Sequence, residues 1–189
     1  KVNHDTEIHP QYSEILTQLL KTGFLNDRIP LVNTTLLANL NEITVSGSVY
    51  RAAIELAKEA PFENIVTHIR SLNDLVLLHP RHDHLFFECI TILGDRGFLN
   101  NHDPGILIQL AESMVEQGIK ERAISSIVIK IAKIGVQSKN RDYLQRAVGL
   151  TCEIDGQETR SATLSSIIDE ASLLAAQQGD LDLLLRDEP

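Results

Sequence analysis

The pentapeptide "GFLND" at Gly23–Asp27 returns as "GFLNN" at Gly97–Asn101, and each copy is followed by a proline at the same distance, Pro30 and Pro104. The copies stand 74 residues apart. Half of that interval, 37, brings weaker echoes into line: Phe24, Phe62, Phe98 and Val136 correspond, as do Asn26, Asn64 and Asn100. A period of this size is the mark of a repeat architecture, in which one supersecondary unit stacks on the next.

Working back from these anchors aligns a helical face. Tyr12, Tyr50, Phe86 and Ile124 share one position; Ile15, Ala53, Cys89 and Ile127 come three residues later. Leu16, Ile54, Ile90 and Val128 follow directly, and then Leu19, Ala57, Leu93 and Ile131. This is the i, i+3, i+4, i+7 stripe of an amphipathic helix, repeated in register. A fifth copy, Leu164, Ile167, Ile168 and Ala171, follows after a slightly longer interval.

Each unit also supplies a second helix. Asp27, Asp103 and Asn140 stand where its start requires a side chain that accepts free backbone amides, and proline is tolerated in such a first turn. Gly23, Gly97, Gly135 and Gly179 stand where first helices end, as a left-handed terminating residue requires. The pattern predicts first helices near 11–22, 48–60, 82–96, 120–134 and 158–178. Second helices are expected near 27–44, 62–78, 103–117, 139–153 and 180–187.

In "KERAISSIVIKIAKIG", Ile124, Ile127, Val128, Ile131 and Ile134 form one face, and Ile129 and Ala132 widen it beyond half the circumference. A hairpin partner covers one side only, so the rest must meet a neighbouring unit. The expected fold is all-α: an α-solenoid of about five helical hairpins in one domain over residues 1–189, with units near 10–45, 46–79, 80–118, 119–155 and 156–189.

Paired helices at the repeat interval, the "RA" steps at Arg51-Ala52, Arg122-Ala123 and Arg146-Ala147, and glycine-terminated first helices together resemble the tetratricopeptide-like class of α-solenoids. The resemblance covers nearly the whole chain. Its consensus of about 34 residues, with Gly and Tyr spaced in the first helix, is not reproduced, and a period of 37 lies nearer the longer HEAT-type units. The resemblance implies a helical-repeat fold and a scaffold role, and assigns no peptide-binding residue.

Composition agrees with helices carrying the core. Hydrophobic residues make up 43% against 23% charged, aromatics are scarce, and tryptophan is absent. That balance excludes a disordered chain, and apolar runs such as Leu75–Leu78 are far too short to span a membrane. No basic, apolar and small-residue leader opens the chain, and Cys89 and Cys152 sit among apolar residues without metal spacing. Two buried free thiols in a cytoplasmic protein are the expectation. A start at Lys1 and an apolar end, "LDLLLRDEP", suggest a piece of a longer protein.

The stretch "HPRHDH" at His79–His84 is the nearest thing to a reactive cluster. It joins the second and third units, where His79-Pro80 ends a helix and Asp83 caps the next, and His9-Pro10 repeats the dipeptide before the first helix. Histidines on one helical face should lie four apart, whereas His82 and His84 point to nearly opposite sides. The preferred reading is a junction without catalytic residues, metal or cofactor. The alternative is a helical-repeat enzyme or metal-dependent hydrolase using His79, His82, His84 and Glu88. No phosphate loop, nucleophile elbow or Cys/His metal pattern occurs.

Charge is unevenly spread. Residues 120–146 carry a net +5, while the residues before and after each carry −7. Lys120, Arg122, Lys130, Lys133, Lys139, Arg141 and Arg146 make up this basic block, a local field able to orient an acidic protein segment. Nucleic acid is disfavoured, because its backbone needs a broad positive footprint and the whole chain carries −9. The function expected is a non-catalytic interaction scaffold presenting a groove to a protein or peptide. The first helices offer Glu14, Gln18, Lys21 and Ser126 toward it, with Glu55, Glu59, Glu88, Asp95, Lys130, Lys133 and Arg141 as the binding residues. Leu181, Leu184 and Leu185 form a terminal apolar stripe that suggests a homodimer through the C-terminal helix.

Overall fold

The computed structural model describes residues 10–25, 42–63, 65–66, 68–69 and 82–178. Among them there is helix and no strand. The elements are α1 (Pro10–Leu25), α2 (Glu42–Glu59), α3 (His82–Asp95), α4 (Phe98–Asn101), α5 (Gly105–Glu112), α6 (Gln117–Ser138), α7 (Arg141–Leu150) and α8 (Gln157–Gln178), with a 3₁₀ turn at Thr151–Glu153. The chain divides into two compact units, Lys1–Cys89 and Ile90–Pro189, and the division falls within α3.

In the first unit, α1 packs on α2. Leu16, Thr17 and Leu20 are the buried residues of α1, and Ser48, Val49, Ala52, Ala53, Leu56 and Ala57 line α2. Four of these α2 residues, Ser48, Ala52, Ala53 and Ala57, are small, and the larger Leu16 and Leu20 come from α1. Ile65, Val66 and Ile69 are also buried. Lys21 reaches from α1 to both Glu55 and Glu59 of α2, and Tyr50 reaches from α2 to Glu88 of α3.

The second unit shows how successive helices are registered. Gln117 bonds Asp155 at 3.1 Å, Thr159 bonds Glu121 at 3.1 Å, and Ser125 bonds Thr163 at 2.7 Å; each pair is 38 residues apart. A constant offset along three successive turns means that α6 and α8 run parallel. Likewise Tyr143 bonds the Asn100 carbonyl and Arg146 bonds Asp103, both 43 residues apart, so two long side chains link α7 to the α4–α5 segment. Between these rows α6 and α7 form an antiparallel hairpin. A Cβ at Gly135 would meet the Asn140 carbonyl oxygen and Tyr143 Cβ at 3.1 Å and Leu144 Cγ at 3.3 Å, so only glycine lets α7 approach this closely.

The local start and stop signals explain the boundaries. Asn140 accepts from the Asp142 amide at 2.9 Å and opens α7 as expected. Asp103 accepts from the Gly105 amide at 3.2 Å ahead of α5. Gly97, at φ +84, turns the chain out of α3 in the left-handed region, as its position required. Gly135 does not end its helix: α6 continues to Ser138, and Lys139, at φ 53, is the left-handed cap that receives the chain. Gly23 likewise lies inside α1.

Several other expectations are corrected. Ile15 and Leu19 are 56% and 50% exposed, because α1 turns Leu16, Thr17 and Leu20 inward and leaves the opposite arc outside. In α8 the buried residues are Thr163, Ile167, Leu174 and Ala175, while Ile168 is exposed; the lateral register is 38, shorter than the 40 implied by the apolar slots. The helix α2 begins at Glu42, within the span assigned to a preceding second helix. The third second helix is shorter than expected and is preceded by the one-turn α4, in which Phe98 and Leu99 are buried. Asp83 lies inside the first turn of α3 and is buried, so it is not the residue before the helix. Cys89 is buried, but Cys152, on the 3₁₀ turn, is exposed. The segments expected as helices at 27–41 and 180–187, Gly179 and His79 lie outside the described residues.

The central copies of the stripe are as expected. Phe86, Cys89, Ile90 and Leu93 of α3 are buried, as are Ile124, Ile127, Val128, Ile131 and Ala132 of α6; Ile129 and Ile134 are half-buried. At about 1.5–3 kcal/mol for each large aliphatic side chain removed from water, the buried face of α6 contributes strongly to the cohesion of the second unit.

Candidate functional site

Of the residues expected to line a groove, Lys21, Glu55, Glu59, Glu88, Asp95 and Lys130 take part in side-chain bonds between one helix and another. Lys21 Nζ lies 3.1 Å from Glu55 Oε2 and 2.6 Å from Glu59 Oε2. The two hydrogen bonds, Glu59 first, raise the Lys21 pKa above the ordinary lysine value, and the bond from Lys21 holds the Glu59 carboxyl below the ordinary carboxylate range. Both glutamates are on the solvent side of the helix pair, so the interaction adds little stability and mainly fixes the relative position of α1 and α2. Glu88, exposed, accepts the Tyr50 hydroxyl.

In the second unit Lys130 bridges α6 to α3. Its ammonium contacts Asp95 and also donates to the Thr91 carbonyl at 3.3 Å. The stem passes over Gly94, where a Cβ would fall 2.7 Å from Lys130 Cδ. Lys133, one turn further along α6, is exposed and makes no ion pair among the described residues.

The structure separates the basic block. Lys133 is two residues from Gly135, hence roughly 200° around the helix from the side that α7 occupies. Arg141 opens α7 and is exposed, and Arg146 of the same helix pairs with Asp103 at 2.5 Å. Lys130 and Lys133 therefore lie on α6 away from α7, while Arg141 and Arg146 lie on α7 itself. Seven cations that are consecutive in charge are not one patch in space.

Sequence reasoning missed the hydroxyl and amide members of the lateral contacts. Thr163 is 1% exposed and donates to the Thr159 carbonyl, so Ser125 supplies the proton of the bond between them. Gln117 donates to Glu121 as well as Asp155, and Arg160 ties the turn before α8 by donating to the Ile154 carbonyl. Only the 38-residue spacing of Ser125 and Thr163, taken together with that of Glu121 and Thr159, could have revealed these pairs in advance.

At the histidine cluster, His84 is exposed at the start of α3 and Glu88 is engaged by Tyr50. Among the described residues no group of three His, Cys, Asp or Glu side chains is arranged to hold a metal ion. The thiol of Cys89 is pushed far up by burial, with Glu88 adding to the effect, which leaves it protonated and unreactive in the folded chain. Among the described residues no helix is long and apolar enough to cross a membrane. No protein-family model matches the chain, and comparison with curated proteins and with solved structures yields no similar protein.

Proposed function

We propose that the chain is a non-catalytic protein-interaction scaffold, a tetratricopeptide-like α-solenoid whose row of first helices presents its outer face to a protein or peptide. The observation that carries this reading is the lateral register. Side-chain bonds between neighbouring first helices recur at 34 to 39 residues in both units, matching the 37-residue period of the sequence. Repetition of one helical pair at nearly constant offset builds an extended surface, and such surfaces serve recognition in repeat proteins. Several polar side chains of that row, among them Lys21, Glu59, Lys130 and Asp95, are paired with one another and would be arranged in advance for a partner.

Site-specific crosslinking tests the face. A photoreactive residue replacing Ser126, on the first-helix row, should give a discrete protein adduct that unlabelled protein competes away. The same residue replacing Gln145, exposed on α7, should not. Discrete adducts from Gln145 alone, or from neither position, would remove the proposal.

A further inference from the structure

We propose that the chain binds a second copy of itself head to tail, the bare apolar stripe of α8 in one molecule receiving the bare apolar stripe of α1 in the next. The inference rests on the lateral register of the helices and goes beyond the scaffold reading, whose partner it does not involve.

Within the chain, α6 shows what a first helix buries on the side that meets its successor. Ser125 bonds Thr163 of α8, and Val128, Ala132 and Val136, at i+3, i+7 and i+11 from Ser125, continue that stripe along α6. They are 0%, 0% and 8% exposed. The apolar slots that align Ile124, Ile127 and Val128 with Leu164, Ile167 and Ile168 put Ser165, Ile168, Ser172 and Ala176 at the same positions of α8. There Ile168 is 59% exposed, Ser165 and Ala176 are exposed, and Ser172 is half-buried. Helix α8 thus buries Thr163 against α6 and leaves bare the side that is covered on α6.

Helix α1 has the opposite asymmetry. Its Leu16, Thr17 and Leu20 are buried in the pair with α2, whereas Ile15 and Leu19, one turn apart, are 56% and 50% exposed. Their aligned positions on α6 are Ile127 and Ile131, each 1% exposed. Helix α1 is therefore bare where a preceding first helix would lie, and α8 where a following one would.

A second copy supplies each face with what it lacks. Two large aliphatic side chains of α1 meet an isoleucine of α8 set among serines and alanine, and the pair α1 and α2 already joins Leu16 and Leu20 to Ser48, Ala52, Ala53 and Ala57. Neither stripe carries a charge: Gln18 and Thr22 flank Ile15 and Leu19, and Gln157 and Ser161 precede Ser165. Because the two faces differ, the contact is heterologous, and association continues beyond one pair unless a ring closes. A single stripe on each partner is far short of the roughly 20–30 residues a side of a stable interface, so association is weak and shows at high concentration.

Sedimentation velocity of the full chain over a concentration series up to about 1 mM tests this. The protein should be monomeric when dilute and form larger species when concentrated. Added sodium sulfate should enlarge them, since it strengthens apolar contacts and screens the net charge of −9. Ile15→Lys and Ile168→Lys, both at positions more than half exposed, should each leave the fold intact and weaken association at least about tenfold. An equimolar mixture of the two should recover it as a one-to-one complex, because each variant keeps the face that the other has lost. Val148→Lys, at an exposed position of α7, should change association less than about twofold. A monomer at every concentration, the result if another part of the chain or a different protein covers the α8 stripe, would overturn the inference. So would undiminished association of either variant alone, a mixture that stays monomeric, or equal loss from Val148→Lys. Such a failure leaves the scaffold reading standing on its own crosslinking test, since Ser126 belongs to neither stripe.

Discussion

Replacing Ile127 by alanine tests the core of the second unit directly. Ile127 is 1% exposed at the centre of α6, between the equally buried Ile124, Val128 and Ile131. The substitution deletes three carbons, and at about 0.8 kcal/mol for each buried methylene equivalent the lost transfer energy is about 2.4 kcal/mol. The neighbours on its own helix are themselves fully buried and α7 is held close at Gly135, so collapse around the cavity is restricted. An unrelieved cavity raises the total toward about 4 kcal/mol. Because the chain has two compact units, a single global transition is not a safe measure. Hydrogen exchange read by mass spectrometry across a urea series resolves each unit, and protection should fall over residues 117–178. Ile15→Ala, at a half-exposed position, provides the contrast and should cost under about 0.5 kcal/mol. A similarly small loss for Ile127→Ala would show that the seam between α6 and its neighbours is wrongly drawn.

Three further outcomes can be measured independently. Gly97→Ala should destabilise by about 1–2 kcal/mol in chemical denaturation, since φ is +84 and the added Cβ meets Asn100 Nδ2 at 2.8 Å, whereas Gly118→Ala, where nothing lies within 4 Å, should be neutral or stabilising by a few tenths. The contribution of Glu59, whose pKa is lowered, is present above the ordinary carboxylate range and lost as pH falls through its folded value, while that of Lys21, whose pKa is raised, is present below the ordinary lysine value and lost as pH rises through its folded one. NMR titration should therefore find the Glu59 midpoint depressed and returned upward by Lys21→Met; an unchanged midpoint would exclude the contact in solution. A thiol-specific chromogenic reagent should label Cys152 rapidly in the native protein and Cys89 only after denaturation, and two fast thiols would contradict the buried position of Cys89.

The helical character of the chain was legible because long apolar stripes of period 3.6 leave few alternatives. Capping was legible at Asn140, Asp103 and Gly97, where one residue type satisfies one backbone need. The rotation of α1 was not. Its buried arc includes Thr17, and that of α2 includes Ser48, both completely buried. A count of apolar residues passes over such positions, yet a short hydroxyl-bearing side chain can return its proton to a carbonyl one turn back and pack as a small apolar group, as Thr163 does. Gly135 misled for a related reason, since a glycine that admits a neighbouring helix has the same letter as one that ends its own. The basic block misled because charge was counted along the chain, while the turn at Lys139 sends Arg141 and Arg146 to the other side of the hairpin.

The constant offset between lateral partners also sets a timetable for the nascent chain. The side-chain bonds between helices described above link residues 34 to 43 positions apart. At synthesis rates of about 5–20 residues per second, the partner of any such residue leaves the ribosome roughly 2–9 seconds later. Helices form in microseconds, so each waits almost the whole of that interval with one flank bare and then closes at once when the next arrives. Within each unit folding can thus keep pace with translation, and a pause in synthesis leaves exposed the flank whose partner has not yet emerged.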